Sequence, residues 1–203
     1  MFDLLCITDR ALVREPFLDR LAAVAAARPG AIVLREKDLP QDQYQALAAQ
    51  ALEICRQAGV PCVLHTFVGA ARALGATAIH LPLPVLRTLS AEEKASFSTI
   101  GASCHSVAEA REAAALGAAY LTAGHVFATS CKAGLPGRGV EFLAQVCAAV
   151  PCPVYAIGGV GPENLPALAQ AGAKGGCVRS PLMTCPDPGA YLRQWKEAAA
   201  HVL

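Results

Sequence analysis

The chain has 203 residues, 54% of them hydrophobic and 16% charged, with a formal net charge of +1. That length fits one domain or two small ones, and that apolar content supports a sizeable core and excludes disorder. A near-neutral balance with 5% aromatics gives no reason to expect nucleic acid or an acidic membrane surface as a partner.

The N-terminal MFDLLCITDR carries an acid at Asp3 and no basic start, so it reads as a first strand over residues 2–8 and not as a signal peptide. Alanine-rich helical stretches then end repeatedly at a glycine followed by an apolar run: Gly59 before PCVLH, Gly75 before ATAIH, Gly117 before AAYLT and Gly172 before AKGGCV. Glycine suits the left-handed position that ends a helix, so each marks a helix-to-strand turn. Further strands are predicted at 31–35, 99–102 and 154–157. Helices are predicted at 16–27, 41–58, 67–75, near 91–97, and at 106–116, 139–149, 163–171 and 187–202. Ser106 and Glu109 have capping-box spacing at the fifth of these.

Eight alternating strand and helix units in this length predict a single-domain (β/α)8 TIM barrel over residues 1–203, with a doubly wound open sheet as the structural alternative. No linker or low-complexity tract divides the chain. The longest uncharged run, 146–162, is cut by Pro151, Pro153 and several glycines, so no membrane span is expected and the location is read as cytoplasmic. Nine cysteines occur without a CxxC pair, and Cys62, Cys147, Cys152 and Cys177 lie in apolar runs, where a thiol behaves as a small hydrophobe. They read as reduced and mostly structural.

In a barrel, function is written at the C-terminal strand ends. Those ends collect Thr8, Asp9 and Arg10; Arg35, Glu36 and Lys37; His65; His80; Ser103, Cys104 and His105; His125; Gly158 and Gly159; Arg179 and Ser180. The glycine-punctuated loop GHVFATSCKAGLPGRG, residues 124–139, sets His125, Lys132 and Arg138 together and is the most informative stretch. The paired glycines after the seventh strand, followed by Ser180 after the eighth, point to a phosphate site, because free amides there can approach an anion. Arg35, Glu36 and Lys37 could instead form a paired charge layer at the mouth, with Glu36 structural. His80 and His105 read as packing or capping residues, Cys104 and Cys131 as bystanders. A zinc site from His65, His80 and His105 fits no compact ligand spacing.

The chain resembles the thiamine phosphate synthase superfamily and, within it, the thiazole tautomerases. The carriers are CITD (6–9), VLREKDL (33–39), IHL (79–81), GASCHSVAEA (101–110), GHVFATSCKAGLPGRG (124–139), YAIGGVGPENL (155–165) and AGAKGGCVRS (171–180). The resemblance implies that a synthase would hold Mg²⁺ with an Asn-Asp pair after strand 3 and an acid just beyond the strand 4 His-Leu. Here those places read His65-Thr66 and Leu81-Pro82-Leu83-Pro84, without a carboxylate. Mg²⁺ demands oxygen ligands, so the synthase reading weakens.

The tautomerase branch, with a histidine directly after Gly124, implies instead a cofactor- and metal-independent aromatisation of a 2-carboxythiazole phosphate. Imidazole suits such a proton relay, since it titrates near neutral pH. On that resemblance His125 is the expected acid/base, while Arg35, Lys37 and Lys132 would face the substrate carboxylate. Ser103 would donate a hydrogen bond near the ring, His65 could contact it, and Gly158, Gly159, Arg179 and Ser180 would cradle the phosphate. The expected partner is this small molecule; a homodimer is left open. Two alternatives stand beside that reading: a thiamine phosphate synthase with a non-standard metal site, and a non-catalytic barrel that binds thiazole phosphate for regulation.

Overall fold

Side chains along the strands alternate between two apolar environments, and this alternation builds the fold. In the computed structural model, which describes residues 2–129 and 134–202, β1 (Asp3–Ile7) sends Leu5 and Ile7 inward to meet Val33, Val63 and Cys177. Leu4 and Cys6 point outward, into a larger core that includes Leu21, Tyr44 and Trp195. The remaining strands are β2 (Ala31–Leu34), β3 (Cys62–His65), β4 (Ala78–Pro82), β5 (Thr99–Cys104), β6 (Tyr120–Gly124), β7 (Val154–Ile157) and β8 (Gly175–Val178). They pair in parallel in chain order and close into a barrel through β1 and β8, with Asp3 opposite Gly175 and Cys6 opposite Val178. Closure rules out the open doubly wound sheet.

The helices described are α1 (Phe17–Ala27), α2 (Gln41–Ala58), α3 (Val68–Ala73), α4 (Leu83–Thr88), α5 (Ala91–Ala95), α6 (Val107–Ala115), α7 (Gly139–Ala149), α8 (Leu165–Gln170), α9 (Ser180–Thr184) and α10 (Pro188–Ala200). All four predicted turn glycines have positive φ, among them Gly59 at +69° closing α2. Two short helices escape the sequence reading. Both α4 and α9 carry proline in their first turn, where its missing N–H costs nothing, so proline marks a start there and not a break. The capping box is also displaced. Ser106 does accept from the Glu109 amide at 3.1 Å, but the Glu109 carboxylate turns to the His105 amide at 2.6 Å. The reciprocal box forms at Ser90 and Glu93, ahead of α5.

Polar clamps fix the strand ends that carry the site. The Tyr44 hydroxyl, fully buried under α2, donates to the Leu34 carbonyl at 2.8 Å and accepts from the His65 amide at 2.8 Å, which ties the ends of β2 and β3 to one helix. Thr8 donates to Glu36 at 2.7 Å and accepts from the Arg35 amide at 2.9 Å, while Glu36 also accepts from the Arg10 amide. Glu36 therefore pairs with β1 and its loop and not with Arg35 or Lys37, so the charge-layer alternative fails at its central residue. Burial raises the Glu36 pKa, offset by the Thr8 and Arg10 bonds. Among the described residues, no helix is long and apolar enough to cross a membrane.

Candidate active site

The strand ends open into one cavity of about 820 Å³ at the C-terminal mouth. Arg35, Lys37, His65, Ser103, His125, Gly158, Gly159, Arg179 and Ser180 all line it, so nine of the ten residues expected there converge. Lys132, the tenth, and Cys131 lie outside the described residues. Arg138, the other loop cation, does not line the cavity: its guanidinium sits 5.4 Å above the Phe142 ring.

His125 follows the last residue of β6 and is 8% exposed. Its Nε2 lies 2.9 Å from the Pro136 carbonyl, which can only accept, so Nε2 carries the ring proton. In the neutral ring Nδ1 then holds the lone pair; this atom is buried and has no hydrogen-bond partner among the described residues. The backbone on both sides of the ring is fixed by Val126 N to Ile157 O and Arg138 N to His125 O, each 2.9 Å. Gly158, with φ +95°, completes the seat, because a Cβ there would stand 2.4 Å from the His125 Cβ. Gly159, with φ +65°, similarly allows Ala128 and Phe127 to pass. The glycine pair thus serves packing as well as leaving amides near the mouth.

Beside these glycines, Arg179 precedes α9 and pairs with Asp9 at 3.2 Å, which links the β8 end to the β1 end. Ser180 begins the short α9.

The β3–β5 wall has a different character. His65 and His80 stack with centroids 5.6 Å apart. Burial, His80 and the Lys37 and Arg35 cations push His65 down to about 2; burial and Lys37 push His80 down to about 3. Both rings are neutral at working pH. His65 Nδ1 is engaged by the Thr66 hydroxyl at 2.6 Å, with Thr66 in the left-handed region at φ +67°, a rare conformation for a β-branched residue. His80 Nε2 lies 2.8 Å from Ser103 Oγ, and its Nδ1 lies 3.1 Å from the Tyr120 hydroxyl. Tyr120 and Thr122 are the members of this group that the strand-end rule passes over; a glycine inside β5, Gly101, is the sequence signal of the close approach that admits Tyr120. Desolvation and the neighbouring Arg35 lower the Lys37 pKa. His105 is exposed and engaged with Glu109.

Comparison with known proteins bears on this arrangement. The thiamine monophosphate synthase family model matches residues 4–182. The chain belongs to that family. Relatives include thiamine-phosphate synthases of Syntrophomonas wolfei, 35% identical over 97% of this chain and 95% of that protein. Another, from Moorella thermoacetica, is 36% identical over 90% and 88% of the two chains. A solved thiamine phosphate pyrophosphorylase from Pyrococcus furiosus superposes with TM-score 0.84 at 28% identity, covering 100% of this chain and 97% of that one.

A Mg²⁺ ion, which a synthase of this family implies, meets a poor donor set here. At the end of β3, the Thr66 hydroxyl is spent on His65 Nδ1, and beyond β4 the wall is Pro82, Leu83 and Pro84. Among the described residues, the carboxylates lining the cavity are Glu109, held by His105, and Glu163. Among the same residues, no cluster of three or more His, Cys, Asp or Glu could hold a metal. Imidazole and proline do not replace the oxygen ligands that Mg²⁺ requires, so these residues do not fit the ion.

Proposed function

We propose that this family member is an enzyme of thiamine biosynthesis that isomerises a 2-carboxythiazole phosphate to its aromatic form by proton transfer, without a metal ion. The observation that carries the reading is the state of His125: one ring nitrogen committed as a donor to Pro136, the other a buried lone pair with no partner among the described residues, in a ring lining the cavity. An unmatched buried acceptor costs about 1–3 kcal/mol, so its retention calls for a use. Accepting a proton from carbon is such a use.

In the reaction, Nδ1, buried in the ligand-free protein, is uncovered as the ligand seats and removes the proton from ring carbon 2, and the electron pair of that C–H bond moves into the ring as aromaticity forms. The exocyclic alkene carbon takes up a proton at the other end of the rearranged system, so substrate and product are isomers and His125 ends as it began. Binding supplies the rest. Arg35 and Lys37 are offered to the carboxylate, Gly158, Gly159 and Ser180 to the phosphate, and Arg179 to the same anion once it competes with Asp9. Lys132 stays a proposal from sequence for the carboxylate.

A second reading, synthesis of thiamine phosphate from a pyrimidine diphosphate and thiazole phosphate, is favoured by the names of the relatives. One experiment separates the two. The protein is given the product of thiazole synthase with and without chelator and followed by NMR, and separately given both synthase substrates with Mg²⁺. Aromatisation faster than a protein-free control, unchanged by chelator, supports the isomerase. Mg²⁺-dependent thiamine phosphate formation without that acceleration overturns it.

A further inference from the structure

We infer that Ser103 is a committed hydrogen-bond donor to an acceptor atom of the bound ligand, with His80 and Tyr120 as positioning residues that set the direction of its proton. The acceptor class is a carboxylate oxygen or an unprotonated ring nitrogen. Only that chemical identity rests on the proposed function; the direction belongs to the ligand-free protein.

The direction can be followed bond by bond from the barrel interior. Tyr120, on β6, packs against the inner apolar cluster and reaches across β5 at Gly101, where a Cβ would lie 2.2 Å from its ring. Its hydroxyl meets His80 Nδ1 at 3.1 Å and has no other partner among the described residues. Burial raises the pKa of this phenol, so it keeps its proton, and with Nδ1 as its one acceptor among the described residues the O–H is spent there. The neutral His80 ring must then carry its proton on Nε2, which points to Ser103 Oγ at 2.8 Å. Thr122 Oγ1 lies 3.3 Å from the same His80 Nε2 and can share its hydrogen as an acceptor, which leaves the Thr122 hydroxyl to donate to Ser103 Oγ at 3.2 Å. Ser103 Oγ has two acceptor positions, and these two donors occupy them. Its own O–H is left for the cavity that it lines.

The same chain disposes of a tempting alternative. A serine 2.8 Å from a histidine nitrogen suggests a nucleophile and its base, but that nitrogen already bears hydrogen and cannot take the serine proton. Ser103 is a fixed donor, polarised from behind.

The test begins with ¹⁵N-histidine NMR of the ligand-free protein. We expect His80 with Nδ1 unprotonated and hydrogen-bonded and Nε2 protonated; an Nδ1–H tautomer overturns the inference whatever the substrate is. Tyr120→Phe should release the ring into a mixture of tautomers. Titration with the aromatic carboxythiazole phosphate should then show Ser103→Ala weakening binding by about 10- to 100-fold, the worth of a hydrogen bond to a charged acceptor. Ser103→Thr should restore most of it, and adding Tyr120→Phe to Ser103→Ala should cost little more. Additive losses in the double variant overturn the coupling. The expected tautomer in a protein that does not bind the carboxythiazole phosphate supports the chain's direction and counts against the proposed reaction alone.

Discussion

Two of the histidines that line the cavity, His80 and His125, have their ring nitrogens treated in different ways. His80 has both nitrogens occupied, by Tyr120 on one side and Ser103 on the other, and burial holds it neutral. His125 has one nitrogen fixed by a carbonyl and one with no partner among the described residues. A ring with both nitrogens engaged transmits orientation; a ring with an unengaged lone pair can exchange a proton. Under the proposed function, the loop after β6 is the place for chemistry, and the β3–β5 wall the place for recognition.

The most direct way to break this contrast is His125→Asn. Asparagine keeps one hydrogen bond but cannot cycle a proton, so turnover should fall by about 10²- to 10⁴-fold with little change in ligand affinity. Near wild-type aromatisation by this variant, measured against a protein-free control, moves the proton carrier elsewhere.

The neutral pair on the other wall makes a pH prediction. His80 titrates at about 3 and His65 at about 2 in the folded chain, against 6.5 ordinarily, so below pH 6.5 the unfolded chain takes up protons that the folded one does not. Stability from these residues is complete above pH 6.5 and falls as pH drops toward 3, by up to about 1.4 kcal/mol per pH unit for each ring. Urea midpoints measured from pH 7.5 to 4.5 check this. A flat profile over that range means the rings are charged when folded.

Gly158→Ala tests the seat of His125. A side chain there meets positive φ and the His125 Cβ, so a stability loss of about 1–3 kcal/mol is expected, seen as a lower Tm, together with slower turnover as the ring is displaced. Arg35→Ala should act more gently, raising KM by about tenfold while kcat holds, because a carboxylate contact made equally in ground and transition states affects binding alone. Chelator should have the smallest effect, leaving the aromatisation rate unchanged.

Much of this was legible in the sequence because it depends on local rules. Turn glycines such as Gly59 and Gly172 mark helix ends by backbone conformation alone, and strand ends in an eight-unit barrel must converge, which places Arg35, Ser103 and Ser180 on one cavity. What stayed hidden depends on which side chains meet across strands. Asp9 and Arg179 lie at opposite ends of the chain yet form an ion pair, Glu36 answers to Thr8 and Arg10 and not to its neighbours, and Pro136 fixes a tautomer through its carbonyl. The helices α4 and α9 were hidden for another reason, since proline signals both a break and a start.

The seam that closes the barrel has a consequence for how the protein comes into being. β1 can pair with β8 only after nearly the whole chain exists, and the join is close: at Gly175 a Cβ would sit 2.2 Å from the Asp3 carbonyl oxygen, and at Gly176 it would strike Val160 and Trp195. Closing so long a loop costs chain entropy before any of its contacts are made. During synthesis, then, the emerging polypeptide holds its first strand unpaired on one edge, and the Arg179–Asp9 pair beside the mouth comes into existence only with closure. The cavity mouth, lined by Ile7 from β1 and by Cys177 and Val178 from β8, is complete only once those two strands have met.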